Sequence, residues 1–206
     1  MELIADHVSV AGLHGPLLLP TSLTAAPGRV TLVAGDPGPG HVALALALGG
    51  RAALAEGGVT LDGDPGAELR RRHVALVDVP DVTAPEDAVS VRSAVAEQLA
   101  LAGRPASRAA TRAFLDGHGV DDARQRFEGL APSERTLLLM DVAASRAATR
   151  VLVVAAPDRF GGHPRTWYAA AERLAAEGLT VVVQVTHATA RQLADPSATF
   201  ELGVAR

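Results

Sequence analysis

The stretch Val30-Thr31-Leu32-Val33-Ala34-Gly35-Asp36-Pro37-Gly38-Pro39-Gly40-His41-Val42-Ala43 decides how this chain folds. Val30 to Ala34 is a compact apolar run of buried-strand length. A glycine-rich turn follows, and the Ala/Leu-rich run from Val42 to Leu48 has the composition of a packed helix. Gly35, Gly38 and Gly40 have the spacing of G-x-x-x-x-G-K-[ST], a loop whose backbone N–H groups cradle phosphate. Such a loop then needs Lys to reach the terminal phosphates and Ser or Thr to hold Mg²⁺. His41 and Val42 stand in those places. Val42 has no oxygen for a metal, and an imidazole near neutral pH is mostly uncharged. Pro37 and Pro39 have no N–H to donate, and Pro39 sits where the backbone should wrap a phosphate. The frame of the loop is present without its charged groups.

Composition narrows the reading. The 206 residues suit one domain, or a core with one subdomain, with ample chain for a buried core. All 19 basic residues are Arg, so no distant lysine replaces the missing one. Asn is also absent and Ile occurs only at Ile4, the mark of a GC-rich genome. A net charge of −4 favours neither nucleic acid nor an anionic membrane. Without Cys there are no disulfides or thiolate metal sites, and no two His pair at i, i+4 on a helix. The start, Met1 to Asp6, does not read as a signal peptide, and no apolar run reaches about 20 residues. A cytoplasmic location is expected, with no direct membrane insertion and no metal.

Outward from the loop, residues 2–10 read as a strand, Leu17 to Thr24 as a second, and Gly49-Gly50 as the end of the first helix. Gly58-Val59-Thr60-Leu61-Asp62-Gly63 reads as a strand into a turn, and His73 to Val77 as a strand after Arg70-Arg71-Arg72, a solvated helix end. From Ser90 to Ala148 the pattern is helical, with helices expected from Ser90, over Ala106–Leu115, over Asp121–Phe127 and from Pro132. Val151 to Val154 and Leu179 to Thr186 read as strands buried on both faces. Trp167 to Glu177 reads as a helix, with Trp167 and Tyr168 as packing residues. Ala188 to Leu193 reads as a short helix and Thr199 to Leu202 as a last strand. Strands alternating with helices predict a mainly parallel sheet in an α/β fold.

The order of these segments resembles the ATP-binding cassette family, the nucleotide-binding subunits of ABC transporters. The resemblance spans almost the whole chain. Gly58 to Gly63 is similar to the family's segment after the first helix, and Arg71 to Val77 to the strand that leads to its Q-loop. Val151 to Val154 with Pro157 resembles its Walker B strand, and Val182 to His187 the strand ending in its switch histidine. Ala194-Asp195 resembles its terminal "A-D". The implied fold is a P-loop NTPase (RecA-like) core with an antiparallel β layer and a helical subdomain insertion. The core is expected over 1–86 and 149–206, and the helical subdomain over 87–148.

Measured against that pattern, the departures are systematic. Ala155-Ala156 replaces the Walker B acidic pair, and the nearest carboxylate, Asp158, is expected to point elsewhere. Asp78-Val79-Pro80 replaces the Q-loop glutamine, with Asp78 and Asp81 expected on a solvated acidic loop. Leu130-Ala131-Pro132-Ser133-Glu134 stands for the signature without its glycines. Gly161-Gly162-His163-Pro164, at the D-loop, reads as a turn. His187 is the vestigial switch histidine, read as a polar strand-end residue. Gly35, Asp36, Pro37, Gly38, Pro39, Gly40, His41, Val42 and Ala43 form a degenerate phosphate loop in which Asp36 is a turn residue.

Phosphoryl transfer rests on positioning and charge neutralisation, so no meaningful turnover and no obligatory cofactor are expected. The resemblance implies a pseudo-ATPase acting by association with a membrane permease, a second ABC ATPase subunit or a second copy of itself. Two alternatives stand beside it: a subunit that retains ATP/Mg²⁺ binding or is completed by a partner, and a stand-alone scaffold that holds another ligand in the cleft.

Overall fold

The computed structural model describes residues 1–193 and 199–203. The elements in chain order are β1 (Leu3–Gly12), β2 (Gly15–Ala25), β3 (Val30–Gly35), α1 (Pro39–Leu48), β4 (Glu56–Leu61), α2 (Ala67–His73) and β5 (Val74–Val77). There follow α3 (Val91–Leu101), α4 (Arg108–Gly117), α5 (Pro132–Ser145), β6 (Val151–Ala155), α6 (Pro164–Ala176), β7 (Thr180–Thr186), α7 (His187–Leu193) and β8 (Thr199–Glu201). The Ala194-Asp195 pair lies outside the described residues.

Two sheets result. One is antiparallel, β2-β1-β4; the other is parallel, β5-β6-β7-β3-β8. Both faces of the parallel sheet are covered, which is why its strands read as unbroken apolar runs. Leu32, Leu152, Val154, Val181 and Val183 face a core shared with α3 to α6. Val33, Val151, Val153 and Val182 face the opposite core, shared with α1 and the antiparallel sheet. Helix α1 lies between the two sheets, so it is apolar nearly all round, as buried helices are. It ends at Gly49-Gly50, where Gly50 takes φ +69° and a Cβ would come within 2.6 Å of the Ala67 carbonyl oxygen.

Helices α1 and α6 begin three residues earlier than the sequence suggests, at Pro39 and Pro164. A proline at the start of a helix gives up an N–H that has no intrahelical partner, so it opens the helix without cost.

Two expectations are corrected. Asp121 to Phe127 is not a helix; it is a turn leading into the short 3₁₀ segment Phe127–Gly129. Its carbonyls are engaged elsewhere. Gln125 and Ala123 accept from Val91 N at 2.9 Å and Arg92 N at 3.0 Å, filling the open N-terminus of α3 alongside the Ser90 cap. Nor is Arg70 solvated. It is buried in α2 and donates from Nη1 to the Val59 carbonyl at 2.5 Å and the Pro65 carbonyl at 2.7 Å. Arg71 and Arg72 are exposed, and His73 closes the helix rather than opening β5.

Candidate functional site

The C-terminal ends of β3, β6 and β7 converge at one edge of the parallel sheet, the usual place for a ligand in an open α/β sheet. The glycine-rich loop 35–43 sits there, between β3 and α1. Gly35 pairs with Thr186 across the β3–β7 ladder. Asp36, Pro37, Gly38 and Pro39 are exposed, and α1 begins without a side-chain cap. Leu202, anchored by its N–H on the Ala34 carbonyl at 2.7 Å, covers the inner side of the turn. A Cβ at Gly35 would lie 2.6 Å from Leu202 Cβ, and one at Gly40 would lie 3.1 Å from Leu202 Cδ2. Packing alone therefore calls for glycine at position 35, while at position 40 the end of the Leu202 side chain would have to give by a few tenths of an ångström. Ala43 is buried and Val42 half-buried in the first turns of α1.

His41 does not reach into solvent. The residue is 4% exposed and Nδ1 has no hydrogen-bond partner in the protein. Burial holds its pKa below 6.5, outweighing the Asp158 carboxylate, the Gly35 and Asp36 carbonyls and Gln184, all of which favour the cation. Gln184, fully buried on β7, ties α1 to the sheet. With its amide turned so that both groups are satisfied, the nitrogen faces the His41 carbonyl at 2.6 Å and the oxygen faces Ala45 N at 3.2 Å. Where a phosphate loop needs a cation, this one holds a buried neutral ring.

Asp158 is engaged by the end of β7: its Oδ2 accepts from Thr186 N at 3.0 Å and Thr186 Oγ1 at 2.7 Å, stapling the segment after β6 to that strand. Its Oδ1 is buried without a partner. His187 opens α7 beside the loop, with Nε2 3.9 Å from Asp36 Oδ1 and Nδ1 3.5 Å from Glu201 Oε2. Asp36, His187 and Asp158 are thus near one mouth. Among the described residues, no group of three or more His, Asp or Glu is suited to holding a metal ion.

At the end of β6, Ala155 and Ala156 present methyl groups. Ala156 adopts φ +42°, and Arg159 Nη1 donates to the carbonyls of Ala155 and Ala156 at 2.9 and 3.3 Å. Arg159 also pairs with Asp78, its Nη2 2.8 Å from Oδ2. This corrects the reading of Asp78 as part of a solvated loop. Asp78 is 2% exposed, with φ +55°, and accepts from Arg135 Nε and Nη2 at 3.3 and 3.1 Å. Arg135 Nη1 continues to Asp87 Oδ1 at 2.5 Å, and its guanidinium stacks over the rings of Phe127 and Phe160. Asp81 is exposed, as expected. Spacing carries no sign of this cluster, because its members lie just after β5, on α5 and after β6.

At the signature position, α5 starts at Pro132, and Glu134 Oε2 accepts from Ala131 N at 3.2 Å. Gly161 and Gly162 form a turn with φ +82° and +86°. Trp167 packs in the core, 1% exposed.

Comparison with known proteins finds the fold. No family model and no curated protein matches the chain. Solved structures do. One described as an ABC transporter ATP-binding protein from Pyrococcus furiosus aligns with TM-score 0.71 at 15% identity, over 98% of each chain. One described as the ATP-binding subunit of an ABC transporter gives 0.68 at 15% identity, over 98% of this chain and 86% of the other. One described as a nucleotide-free ATP-binding cassette from an ABC transporter gives 0.67 at 17%, over 98% and 88%. The chain has the fold of an ABC-type ATP-binding cassette: a P-loop NTPase arrangement with an added antiparallel sheet. Among the described residues no helix is long and apolar enough to cross a membrane.

Proposed function

We propose that this protein is a degenerate cassette subunit, a pseudo-ATPase that works by association rather than by turnover. The observation that carries the reading is His41: the residue in the lysine position is a buried imidazole with its pKa held below 6.5. Val42 and Ala155-Ala156 supply no oxygen for Mg²⁺ or for an attacking water, so nothing offsets the charge of a transferring phosphoryl group. His187 is then a strand-end residue between two carboxylates rather than a phosphate sensor.

The partner, in this reading, is a membrane permease or an active cassette subunit. The docking surface is the groove of about 460 Å³ between the segment after Asp78 and helices α3 and α5. Val82 and Leu101 expose apolar surface there, Arg51 and Arg146 lie along it, and Glu86 and Glu97 complete a polar rim. Exposed apolar side chains framed by charge suit an amphipathic helix of the partner.

Calorimetric titration with ATP, with and without Mg²⁺, tests the loop together with a phosphate-release assay. No heat up to millimolar ATP and no release above background are expected. Binding in the micromolar range would confine the degeneracy to hydrolysis, and turnover by the chain alone would overturn the reading. Docking is tested by membrane fractionation of cells expressing the intact chain. The chain should sediment with membranes, and Leu101→Glu should release it.

A further inference from the structure

On the helical segment between β5 and β6, away from the loop, four arginines line a cup of about 430 Å³. Arg108 and Arg112 project from one face of α4, four residues apart, so they are neighbours on the helix surface. Arg92 comes from the first turn of α3 and Arg124 from the turn 121–126. That turn is fixed by the hydrogen bonds from Val91 N and Arg92 N to the carbonyls of Gln125 and Ala123, and Arg124 N donates to Asp122 Oδ1 at 2.9 Å. The wall carrying Arg124 is therefore built rather than loose. The floor is the fully buried Leu115.

Pairing within the cup is incomplete. Arg112 is oriented by Asp116, Nε to Oδ1 at 2.7 Å. Among the described residues Arg92, Arg108 and Arg124 have no ion-pair partner within 4.0 Å, and Asp121 and Asp122 are the only carboxylates lining the cup. An excess of positive charge is gathered here on a chain whose net charge is −4. Arginines from three segments line this one concavity, and planar guanidinium groups suit oxyanions that take two parallel N–H donors at a time.

We propose that this cup binds a small oxyanion carrying two or more negative charges, bearing phosphate groups or carboxylates. It is separate from the former phosphate loop and does not depend on the fate of that site. Its size falls within the usual range for small-molecule sites.

The test is calorimetric titration of the full chain with inorganic triphosphate, and in parallel with citrate, at pH 7.5 and low salt. Three proteins are compared: the unaltered chain, Arg108→Ala/Arg112→Ala, and Gly38→Glu. Arg108 and Arg112 are exposed, so their removal spares the core. Gly38 has open space around it, and a glutamate there sets a negative charge at the mouth of the loop. The proposal expects binding that weakens about tenfold or more in the double arginine variant and is unchanged in Gly38→Glu. Triphosphate alone would name phosphate groups as the ligand chemistry, and citrate alone polycarboxylates. Loss of binding in Gly38→Glu with the arginine variant unaffected would place the anion on the loop and overturn the proposal. Absence of binding to either probe at millimolar concentration would do the same. Arg108→Lys/Arg112→Lys keeps the charge and removes the planar forks, so it should recover only part of the affinity.

Discussion

Arg135 grips Asp78 side-on across 57 positions of sequence, Nε to Oδ2 at 3.3 Å and Nη2 to Oδ1 at 3.1 Å, with both side chains almost wholly buried. Arg159 takes the remaining approach to Oδ2. One carboxylate thus joins the end of β5, the start of α5 and the segment after β6. Buried charges are tolerated only when paired and hydrogen-bonded, and the stacking of Arg135 between Phe127 and Phe160 completes its enclosure.

Asp78→Ala should therefore be costly, because it leaves the buried Arg135 with only the half-exposed Asp87 and takes from the half-buried Arg159 its carboxylate partner. A loss of about 3–5 kcal/mol is expected, read by urea unfolding with the single Trp167 as the fluorescent probe. Asp87→Ala removes a half-exposed partner and should cost under about 1 kcal/mol. Equal losses in the two variants would show that Asp78 is not the hub.

His41 makes stability sensitive to acid. Its pKa in the folded protein lies below 6.5, so between the two values the unfolded chain binds more protons. Its contribution is present above pH 6.5 and is lost as pH falls through the folded value. His41→Gln should flatten the slope of unfolding free energy against pH in that window. An unchanged slope would mean that burial does not control this ring.

His118 acts in the opposite sense. Nε2 faces Asp141 Oδ2 at 2.9 Å and Nδ1 faces the Phe114 carbonyl at 2.8 Å, so the doubly protonated ring is fully partnered. The hydrogen bond to Asp141 raises its pKa despite burial. Asp141 is held below its ordinary value: burial pushes it up, but His118 and Arg173 outweigh that. The His118 contribution is complete below pH 6.5 and is lost as pH rises through the folded value. His118→Ala should cost about 1.5–3 kcal/mol at pH 5.5 and less at pH 8.5. NMR titration of the imidazole should show a midpoint above 6.5 in the folded chain.

Gly35 and Leu202 share one space. Gly35→Ala sets a methyl 2.6 Å from Leu202 Cβ and should destabilise by about 1–3 kcal/mol. That contact involves Cβ itself, so Leu202→Ala cannot remove it, whereas Leu202→Gly in the Gly35→Ala background should relieve part of the clash. Additive losses in the double variant would show that the two residues do not compete. Thermal unfolding of the four proteins makes the comparison.

Restoring the missing groups asks whether the loop backbone still fits phosphate. His41→Lys/Val42→Ser should give calorimetrically detectable Mg-ATP binding, since the three glycines of the loop keep their places. Under the proposed reading no hydrolysis is expected from this variant, because Ala155-Ala156 offer no carboxylate to position water. No gain in binding would mean that Pro37 and Pro39 have removed essential donors.

What the sequence determined by itself is local and periodic. The apolar runs of β3, β6 and β7, the glycine spacing of the loop, the helix start at Ser90 and the Gly49-Gly50 stop depend on neighbours in the chain, so the α/β order was legible, as were the absent lysine and acidic pair. Tertiary structure decided how distant charges are used. Asp78 could be told from a solvated carboxylate only once Arg135 and Arg159 were brought against it. Arg70 could be told from a surface arginine only once the Val59 and Pro65 carbonyls closed on it. The turn 121–126 carries a helix-like pattern, yet its carbonyls complete the N-terminus of α3. Burial of His41 depends on α1 lying between two sheets, a placement no window of sequence contains. Periodicity records which face of an element is apolar; the partner of a charge or an open carbonyl is set by what the fold brings to it.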